Sequence, residues 1–380
     1  MILLEICLCL RMSQLSYSAI KSLFVFSVMV ISLPAEALVV LQQAAVPMGV
    51  EHDTNPRMSS TDKQSIWRYI ATPRYSIAAV SDRNRWYSDV SLRLERSSDK
   101  KISIDREDPN VVVGWQRDGE IDRFSLIGKY NKASTRFTEF DETGLVVNDA
   151  SSITRLIAAN WSRSFTERLN FSLGGQYLTT AYSGGNFTNY STKSLNSTLT
   201  YDLNERVRPF MQVGLTDFNP DGQGRRNTKS QNYLVGAHID ISPRLNVSAS
   251  AGVNHLSSAG NGRIANANFN YLGERYGLRG SIERSVSASS IGNFQESDRM
   301  SLGYNYDLSD KSSLSADFSW RKNNSLNDSE SKQLSGFYSR DLTEFWQMKL
   351  LLQTRNLTST NRSANGNVAG ITFTYNLPEF

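Results

Sequence analysis

The sequence predicts an all-β fold: a transmembrane antiparallel up-and-down β-barrel of about eighteen strands, with sixteen as the alternative. Apolar and polar residues alternate along most of the 380-residue chain. Short turns alternate with longer polar segments. No stretch after residue 37 approaches the roughly 20 apolar residues that a membrane-spanning helix needs. These three observations together favour a membrane wall built from strands.

The strand prediction rests on apolar residues at every second position. Tyr233, Val235 and Ala237 alternate with polar or small residues, with one exception, and segments 245–253 and 169–177 repeat the pattern. Successive side chains of a strand point to opposite faces. Each segment therefore predicts a strand with one apolar face and one polar face, and each approaches the 9 to 11 residues that a tilted strand needs to cross a bilayer.

The connections between these strands differ in length in a regular way. Short turns such as Phe165–Arg168, Leu203–Arg206 and Leu272–Arg275 are separated by longer polar segments such as 131–152 and 217–230. Outer-membrane barrels have short periplasmic turns and long extracellular loops. A soluble β-sandwich shares the period of two but leaves this alternation unexplained.

Closure of the barrel requires a first strand that pairs with the last. The segment near residues 45–51 is expected to fill this place, because in lipid every backbone group must find a partner within the protein. An even number of strands puts both termini on the periplasmic side.

The N-terminal segment, residues 1–37, reads as a signal peptide. An apolar run over 23–33 precedes an Ala-Glu-Ala triplet that ends at Ala37, so the mature chain is expected to begin at Leu38. Met12 is a candidate for the true start, and an uncleaved membrane anchor is the alternative reading. Residues 38–380 are then expected to form a single outer-membrane barrel domain.

Composition argues against catalysis and against a nucleic-acid partner. The formal net charge is +4, and the basic and acidic residues are interspersed rather than grouped. There are 3 histidines and 2 cysteines, and both cysteines precede Leu38. Without a cluster of metal ligands or a catalytic motif, the sequence predicts no enzyme activity, no metal and no cofactor.

Charged residues at polar-face positions are the candidate functional residues. Charge inside a membrane is tolerated where it faces water, so these side chains predict a hydrated and slightly basic lumen that favours neutral or anionic solutes. The lumen-lining candidates are Arg74, Arg93, Arg123, Lys129, Arg208, Arg279, Arg299, Lys349, Arg355, Asp89, Glu95, Asp240, Glu283 and Asp317.

The longest connection, residues 131–152, is the candidate for narrowing the lumen. Phe137, Phe140 and Leu145 could pack against the wall, and acidic residues could face the basic lining and set a transverse field. An exposed loop that binds divalent ions beside lipopolysaccharide is the alternative. The acidic candidates are Glu139, Asp141, Glu142 and Asp149.

Three short segments carry a resemblance to a known family. Gly49–Pro56, Thr72–Ser76 and Arg106–Asn110 resemble segments of uncharacterised Gram-negative outer-membrane β-barrel porins of the kind associated with exopolysaccharide or capsule export. Phe380 resembles the terminal aromatic read by the barrel-assembly machinery, although it is out of phase with the last apolar face and follows Pro378.

The resemblance implies a Gram-negative outer-membrane channel that exports a polysaccharide. An uptake porin, general or solute-specific, is the first alternative, and a non-conducting envelope scaffold or adhesin is the second. The expected partners are outer-membrane lipid and lipopolysaccharide, the barrel-assembly machinery, and a polysaccharide with periplasmic export components.

Overall fold

Nineteen strand segments and one short helix make up the computed structural model, which describes residues 38–142, 150–222, 227–324, 328–359 and 362–377. The helix α1 spans Thr135–Glu142. The strands are β1 Val39–Asp53, β2 Ile66–Ala71, β3 Arg74–Val80, β4 Asn84–Ser97, β5 Arg106–Asp118, β6 Asp122–Ser134, β7 Ser151–Ser164, β8 Leu169–Ser183, β9 Tyr190–Tyr201, β10 Val207–Pro220, β11 Thr228–Ser242, β12 Leu245–Leu256, β13 Gly260–Leu272, β14 Tyr276–Ala288, β15 Phe294–Ser309, β16 Ser312–Asn323, β17 Ser329–Asp341, β18 Trp346–Ser359 and β19 Arg362–Asn376.

Segments β2 and β3 are two halves of one membrane-crossing strand. Ala71 pairs with Leu94 and Arg74 pairs with Ser91, so both halves keep the same register against β4. Pro73 lies in the gap, where its missing N–H removes one ladder hydrogen bond. The barrel therefore has 18 strands, which confirms the predicted number rather than the alternative of sixteen.

Every strand pairs antiparallel with its neighbours, and the first strand closes the barrel against the last. Ala45 pairs with Asn376 and Asp53 pairs with Val368, so β1 and β19 are in contact over the length that was predicted for closure. A closed sheet leaves no unpaired edge for lipid to meet. Among the described residues, no helix is both long and apolar enough to cross a bilayer.

The pairing register separates an apolar outer face from a polar inner face. Exposed apolar side chains such as Ile157, Met211, Val235 and Leu352 share one face, as the alternation predicts. Outward aromatic residues form a girdle beside the short turns, with ring centroids 5.1 to 6.1 Å apart. These neighbours include Trp86 and Trp115, Trp161 and Phe171, Tyr271 and Tyr276, and Trp346 and Tyr375.

The strands are longer than the sequence pattern indicated. Strand β15 has 16 residues and β1 has 15, whereas about 9 to 11 suffice to cross a bilayer. The extra residues come from segments that were expected to be loops. Only residues 257–259 separate β12 from β13, so that extracellular connection is as short as the periplasmic turns.

Part of the longest predicted loop is regular structure. Strand β6 continues to Ser134, α1 follows at once, and β7 begins at Ser151. The predicted signal peptide 1–37 and the C-terminal Phe380 lie outside the described residues, as does Leu145.

Candidate functional site

All fourteen lumen-lining candidates lie on the inner face by the pairing register. Arg299, for example, pairs with Arg321 and Glu283, and the neighbouring pair Met300 and Trp320 points outward. Several candidates form ion pairs along the wall. These are Arg208 with Asp240 at 2.9 Å, Arg279 with Asp317 at 3.0 Å and Arg93 with Glu95 at 3.0 Å, while Lys349 lies 4.1 Å from the ring centroid of Phe337.

The inner face is not uniform around the barrel. The inner positions of β8–β13, which we call the amide wall, are rich in amide and hydroxyl groups, interrupted by apolar and aromatic side chains such as Phe210 and Leu234. Among the described residues, the acidic and basic side chains of this wall, histidine aside, are Arg208 and Asp240 near the periplasmic end. Its amide residues are Asn170, Gln176, Asn196, Gln212, Asn232, Asn246, Asn254, Asn266, Asn268 and Asn270. The other candidates lie on the remaining strands, at Arg74 and Asp89 on β3 and β4, Arg123 and Lys129 on β6, and Glu283 on β14.

Charged residues from several strands meet near the extracellular end of the opposite wall. Arg68 contacts Asp53 and Glu51 at 3.0 Å each, and Arg355 contacts Asp53 at 2.7 Å. Glu95 lies 4.0 Å from Arg68. Arg68, Asp53 and Glu95 are no more than 1% exposed. We use the name ion-pair network for Glu51, Asp53, Arg68, Glu95 and Arg355 together with Arg93 and Arg136. Buried charges are tolerated only when each has such partners.

Helix α1 lies inside the barrel against this network. Arg136 donates to Glu95 Oε1 at 2.8 Å, and the Phe137 ring lies 4.8 to 5.8 Å from the guanidinium groups of Arg136, Arg93 and Arg68. Such contacts between cations and aromatic rings are attractive. The helix is therefore held to the inner face of β2 and β4.

An apolar contact fixes the far end of α1. Phe140 packs with Met58 of the β1–β2 loop and with Leu357 and Ala364, two inward residues of β18 and β19. All four side chains are at most 5% exposed. Burying a phenylalanine ring stabilises this position of the helix by about 1.5–3 kcal/mol.

A second loop reaches α1 from the opposite wall. The β6–β7 and β14–β15 connections start on nearly opposite sides of the barrel, since β8–β13 lie between them on one side and β16–β19 with β1–β5 on the other. The Glu139 carboxylate, which is fully buried, accepts hydrogen bonds from Ser290 Oγ and, at 2.9 Å, from Tyr182 Oη. We call α1 together with residues 289–293 the mouth bridge.

The structure describes the side chain of one of the four acidic candidates of this loop. Glu139 is buried, and its carboxylate accepts hydrogen bonds from the hydroxyl groups of Ser290 and Tyr182. The side chains of Asp141 and Glu142 lie outside the described part of the chain, as does Asp149.

The β4–β5 loop supports the bridge from a third side. Ser103 Oγ lies in hydrogen-bond contact with Arg136 Nη1 at 2.6 Å. Partial burial acts to raise the pKa of Asp105, but hydrogen bonds from Lys100 Nζ and the Ser97 N–H outweigh it and hold that pKa below its ordinary value. The ionised carboxylate thereby fastens the loop to the end of β4.

The three histidines are far apart in the barrel. His52 packs on Trp67, His238 stacks on Phe210 at 4.8 Å, and His255 Nδ1 lies 2.7 Å from Asn261 Oδ1. Within the described ranges, no group of three or more histidine, cysteine or acidic residues could hold a metal ion.

Sequence reasoning missed most of the ion-pair network. Asp53, Arg68 and Arg136 lie in or beside polar segments for which the sequence predicts loops, because polar residues interrupt the apolar alternation there. Arg106 and Asp108, which pair at 2.8 Å, were missed for the same reason. Continuing the period of two beyond the last apolar residue of each strand would have found the strand members, but nothing local marks Arg136.

Comparison with solved structures agrees with this architecture. OccAB4 of Acinetobacter baumannii is similar over 90% of this chain and 98% of its own, with 7% identity and a TM-score of 0.50. OccK5 (OpdH) of Pseudomonas aeruginosa (10% identity, 89% and 98% covered, TM-score 0.49) and the siderophore receptor PirA of A. baumannii (6% identity, 88% and 80% covered, TM-score 0.49) are also similar. A scan of family models and a search of curated proteins found no match to the sequence.

The closed barrel, with its apolar belt and polar interior, defines an outer-membrane β-barrel of the porin-like class. The protein accordingly belongs in the outer membrane of a Gram-negative bacterium, as predicted.

Proposed function

We propose that this protein is an uptake channel for small polar solutes, with its narrowest region beside the mouth bridge. The observation that carries the proposal is the position of α1. It fills the extracellular end of the lumen on the side of the ion-pair network, where Met58, Phe140 and Leu357 are buried together. The part of the lumen that α1 does not occupy lies along the amide wall.

The chemistry of the amide wall favours neutral solutes rich in hydroxyl groups. Asn, Gln, Ser and Thr side chains both donate and accept hydrogen bonds, so they replace the water that such solutes lose on entering. Asn196, Asn246 and Asn270 are exposed to the interior rather than packed away. The likeness to Occ porins supports the uptake direction.

Polysaccharide export, which the sequence resemblance implied, has less support. The contact between Glu139 of α1 and Ser290 extends across the extracellular mouth, so a polymer would have to thread the opening that this contact leaves. The structural neighbours lend support to solute uptake and none to polysaccharide export. A measurement of conductance distinguishes a channel from a non-conducting scaffold.

Conductance in planar bilayers tests the proposal. Replacing residues 136–147 with a short Gly-Ser linker is expected to raise single-channel conductance, because the helix no longer occupies the mouth. Resistance of the unboiled variant to detergent unfolding checks that the barrel is intact. No conductance in the native protein and in this folded variant would support a scaffold instead.

Swelling of liposomes then tests the solute class. Neutral sugars are expected to enter faster than anionic or cationic solutes of the same size. Asn196→Asp should slow anionic solutes while leaving neutral ones unchanged, and Leu195→Asn, on the outer face of the same strand, serves as the control. Loss of a surface polymer on deletion of the gene, with uptake unchanged, would favour export.

A further inference from the structure

Two rings are stacked on the inner face of the amide wall, close to the periplasmic turns. Phe210 follows the turn Leu203–Arg206, and its ring stacks on that of His238 in the next strand, with the centroids 4.8 Å apart and an interplanar angle of 26°. Both side chains point into the lumen, since the adjacent residues Met211 and Ile239 are exposed on the outer face. We call Phe210 and His238 the aromatic platform.

A glycine makes room for this platform. Phe210 pairs with Gly236, and a Cβ atom at that glycine would lie 2.6 Å from Phe210 Cζ. The same Cβ would lie 2.7 Å from the Cβ of Ser250 on the other side. A larger residue at position 236 would therefore displace the Phe210 ring from the wall and from His238. The position of the platform thus depends on the wall beneath it.

Polar side chains without partners lie beside the platform. Asp240, Asn246 and Asn270 are paired across three neighbouring strands and form one row on the inner face. This row is two residues from His238 along β11. In the described part of the chain, the amide groups of the two exposed asparagines form no hydrogen bond, and neither do the ring nitrogens of His238. These groups are available to a solute in the lumen.

The ion pair between Arg208 and Asp240 borders the same surface. Arg208 Nη2 donates to Asp240 Oδ2 at 2.9 Å, and the two side chains are 44% and 39% exposed. Among the described residues, Asp240 has no other hydrogen-bond donor to its carboxylate, so its second oxygen can accept from a solute. The charges of the pair balance each other. The pair therefore offers a strong acceptor and strong donors without a net charge.

This combination of groups fits the ring of a hexopyranose sugar. Hydroxyl groups lie around the rim of such a ring, whereas its faces carry C–H groups. The negative face of an aromatic ring attracts polarised C–H groups. Carboxylate, guanidinium and amide groups all form hydrogen bonds with hydroxyl groups. A zwitterionic solute fits less well, because the two charges that it would need are already paired with each other.

We propose that the aromatic platform, together with Arg208, Asp240 and Asn246, binds one hexopyranose ring at the periplasmic end of the amide wall. This inference rests on the proposed function and deepens it, since it names the class of neutral solute and the residues that bind it. A sugar that has passed the mouth bridge is held there before release. Uptake should therefore saturate as the sugar concentration rises.

Saturation-transfer NMR on the folded barrel tests this site without requiring transport. The protein is kept in a deuterated detergent that has no sugar headgroup, and its aromatic protons are irradiated. Methyl β-glucopyranoside should receive magnetisation at its C–H protons, because these lie against the platform. Sorbitol, which has hydroxyl groups but no ring, and the zwitterion leucine should each receive much less.

Two variants remove the rings of the platform separately. Phe210→Leu and His238→Ala should each weaken binding of the glucoside about tenfold, the upper end for the loss of one aromatic contact. Tyr233→Leu is the matched control, because it removes a ring from the outer face of β11, the strand that carries His238. This control should bind like the native protein. Resistance of the unboiled variants to detergent unfolding checks that each barrel is folded.

The outcomes separate this site from the channel itself. Equal transfer to the glucoside and to sorbitol or leucine overturns the proposal, and so does equal weakening by Phe210→Leu and Tyr233→Leu. A native barrel that conducts ions but transfers nothing to the glucoside overturns the sugar site and leaves the channel function in place. A barrel that shows the expected transfer but does not conduct supports the site and contradicts the channel function alone.

Discussion

The hydroxyl of Tyr182 offers a small perturbation of the mouth bridge. It donates to the buried Glu139 carboxylate, which also accepts a hydrogen bond from Ser290 Oγ. Tyr182→Phe removes this donor and leaves the shape of the ring almost unchanged. The buried Glu139 carboxylate then has one hydrogen-bond donor fewer. The substitution therefore weakens the attachment of α1 without altering the strands of the barrel wall.

The expected size of the effect follows from the charge of the acceptor. A hydrogen bond to an ionised group contributes about 1.5–3 kcal/mol. If α1 exchanges between its seated position and one away from the wall, losing this contribution raises the unseated fraction at least about tenfold. The apolar contact of Phe140 remains and keeps the seated form the major one.

Thiol labelling measures this fraction without relying on transport. A protein expressed from Leu38 onward lacks Cys7 and Cys9, so with Ala364→Cys it carries a single thiol. Ala364 is 5% exposed beneath Phe140. Its labelling by a water-soluble thiol reagent should be at least about tenfold faster in the Tyr182→Phe background.

A second tyrosine on the same strand provides the control. Tyr177 points outward and is 44% exposed, so Tyr177→Phe should leave the labelling rate unchanged. Equal labelling rates in the native, Tyr177→Phe and Tyr182→Phe backgrounds would refute the assignment of this hydrogen bond to the seating of α1.

Two further predictions concern the wall. Ile157→Arg, which puts a charge into the lipid, should destabilise the barrel by about 2–4 kcal/mol, measured as a refolding equilibrium. The inward substitution Ala158→Arg should change the stability little. Equal destabilisation by the two substitutions would show that the register is wrong. Arg355→Ala leaves the buried Asp53 with fewer partners and should cost about 3 kcal/mol, near the low end of the range for a broken buried pair, because a second arginine stays in contact. Arg208, which is half-exposed, provides the comparison: Arg208→Ala should lower the free energy of unfolding by about 0–1 kcal/mol. Both variants are measured by urea titration. Similar losses of unfolding free energy in the two variants would argue against a network that excludes water.

The sequence predicted the barrel well because its wall is governed by a local rule. Each strand must put apolar side chains toward lipid at every second position, as in 233–239, and this requirement is visible without knowledge of the partner strands. The same alternation predicts Arg279 and Asp317 on the inner face, where the structure shows them in contact.

The interior of the mouth could not be predicted in the same way. The segment 135–142 has no strong local helix signal, since Thr135, Phe137 and Thr138 are weak helix formers. Its helix is stabilised by contacts with residues far away in sequence, such as Glu95 and Leu357. Such contacts leave no periodic trace, so the burial of Glu139 was not foreseen.

The contact between β1 and β19 has a consequence for the order of folding. Residues 45–53 meet residues 368–376, so the last seam joins the first and last strands of the barrel, which are far apart in sequence. Contacts between such distant segments form slowly, and each incomplete sheet has two free edges that can pair with other chains. A nascent chain that has not yet delivered its C-terminal strand cannot complete the wall, and until then it depends on chaperoning to avoid aggregation.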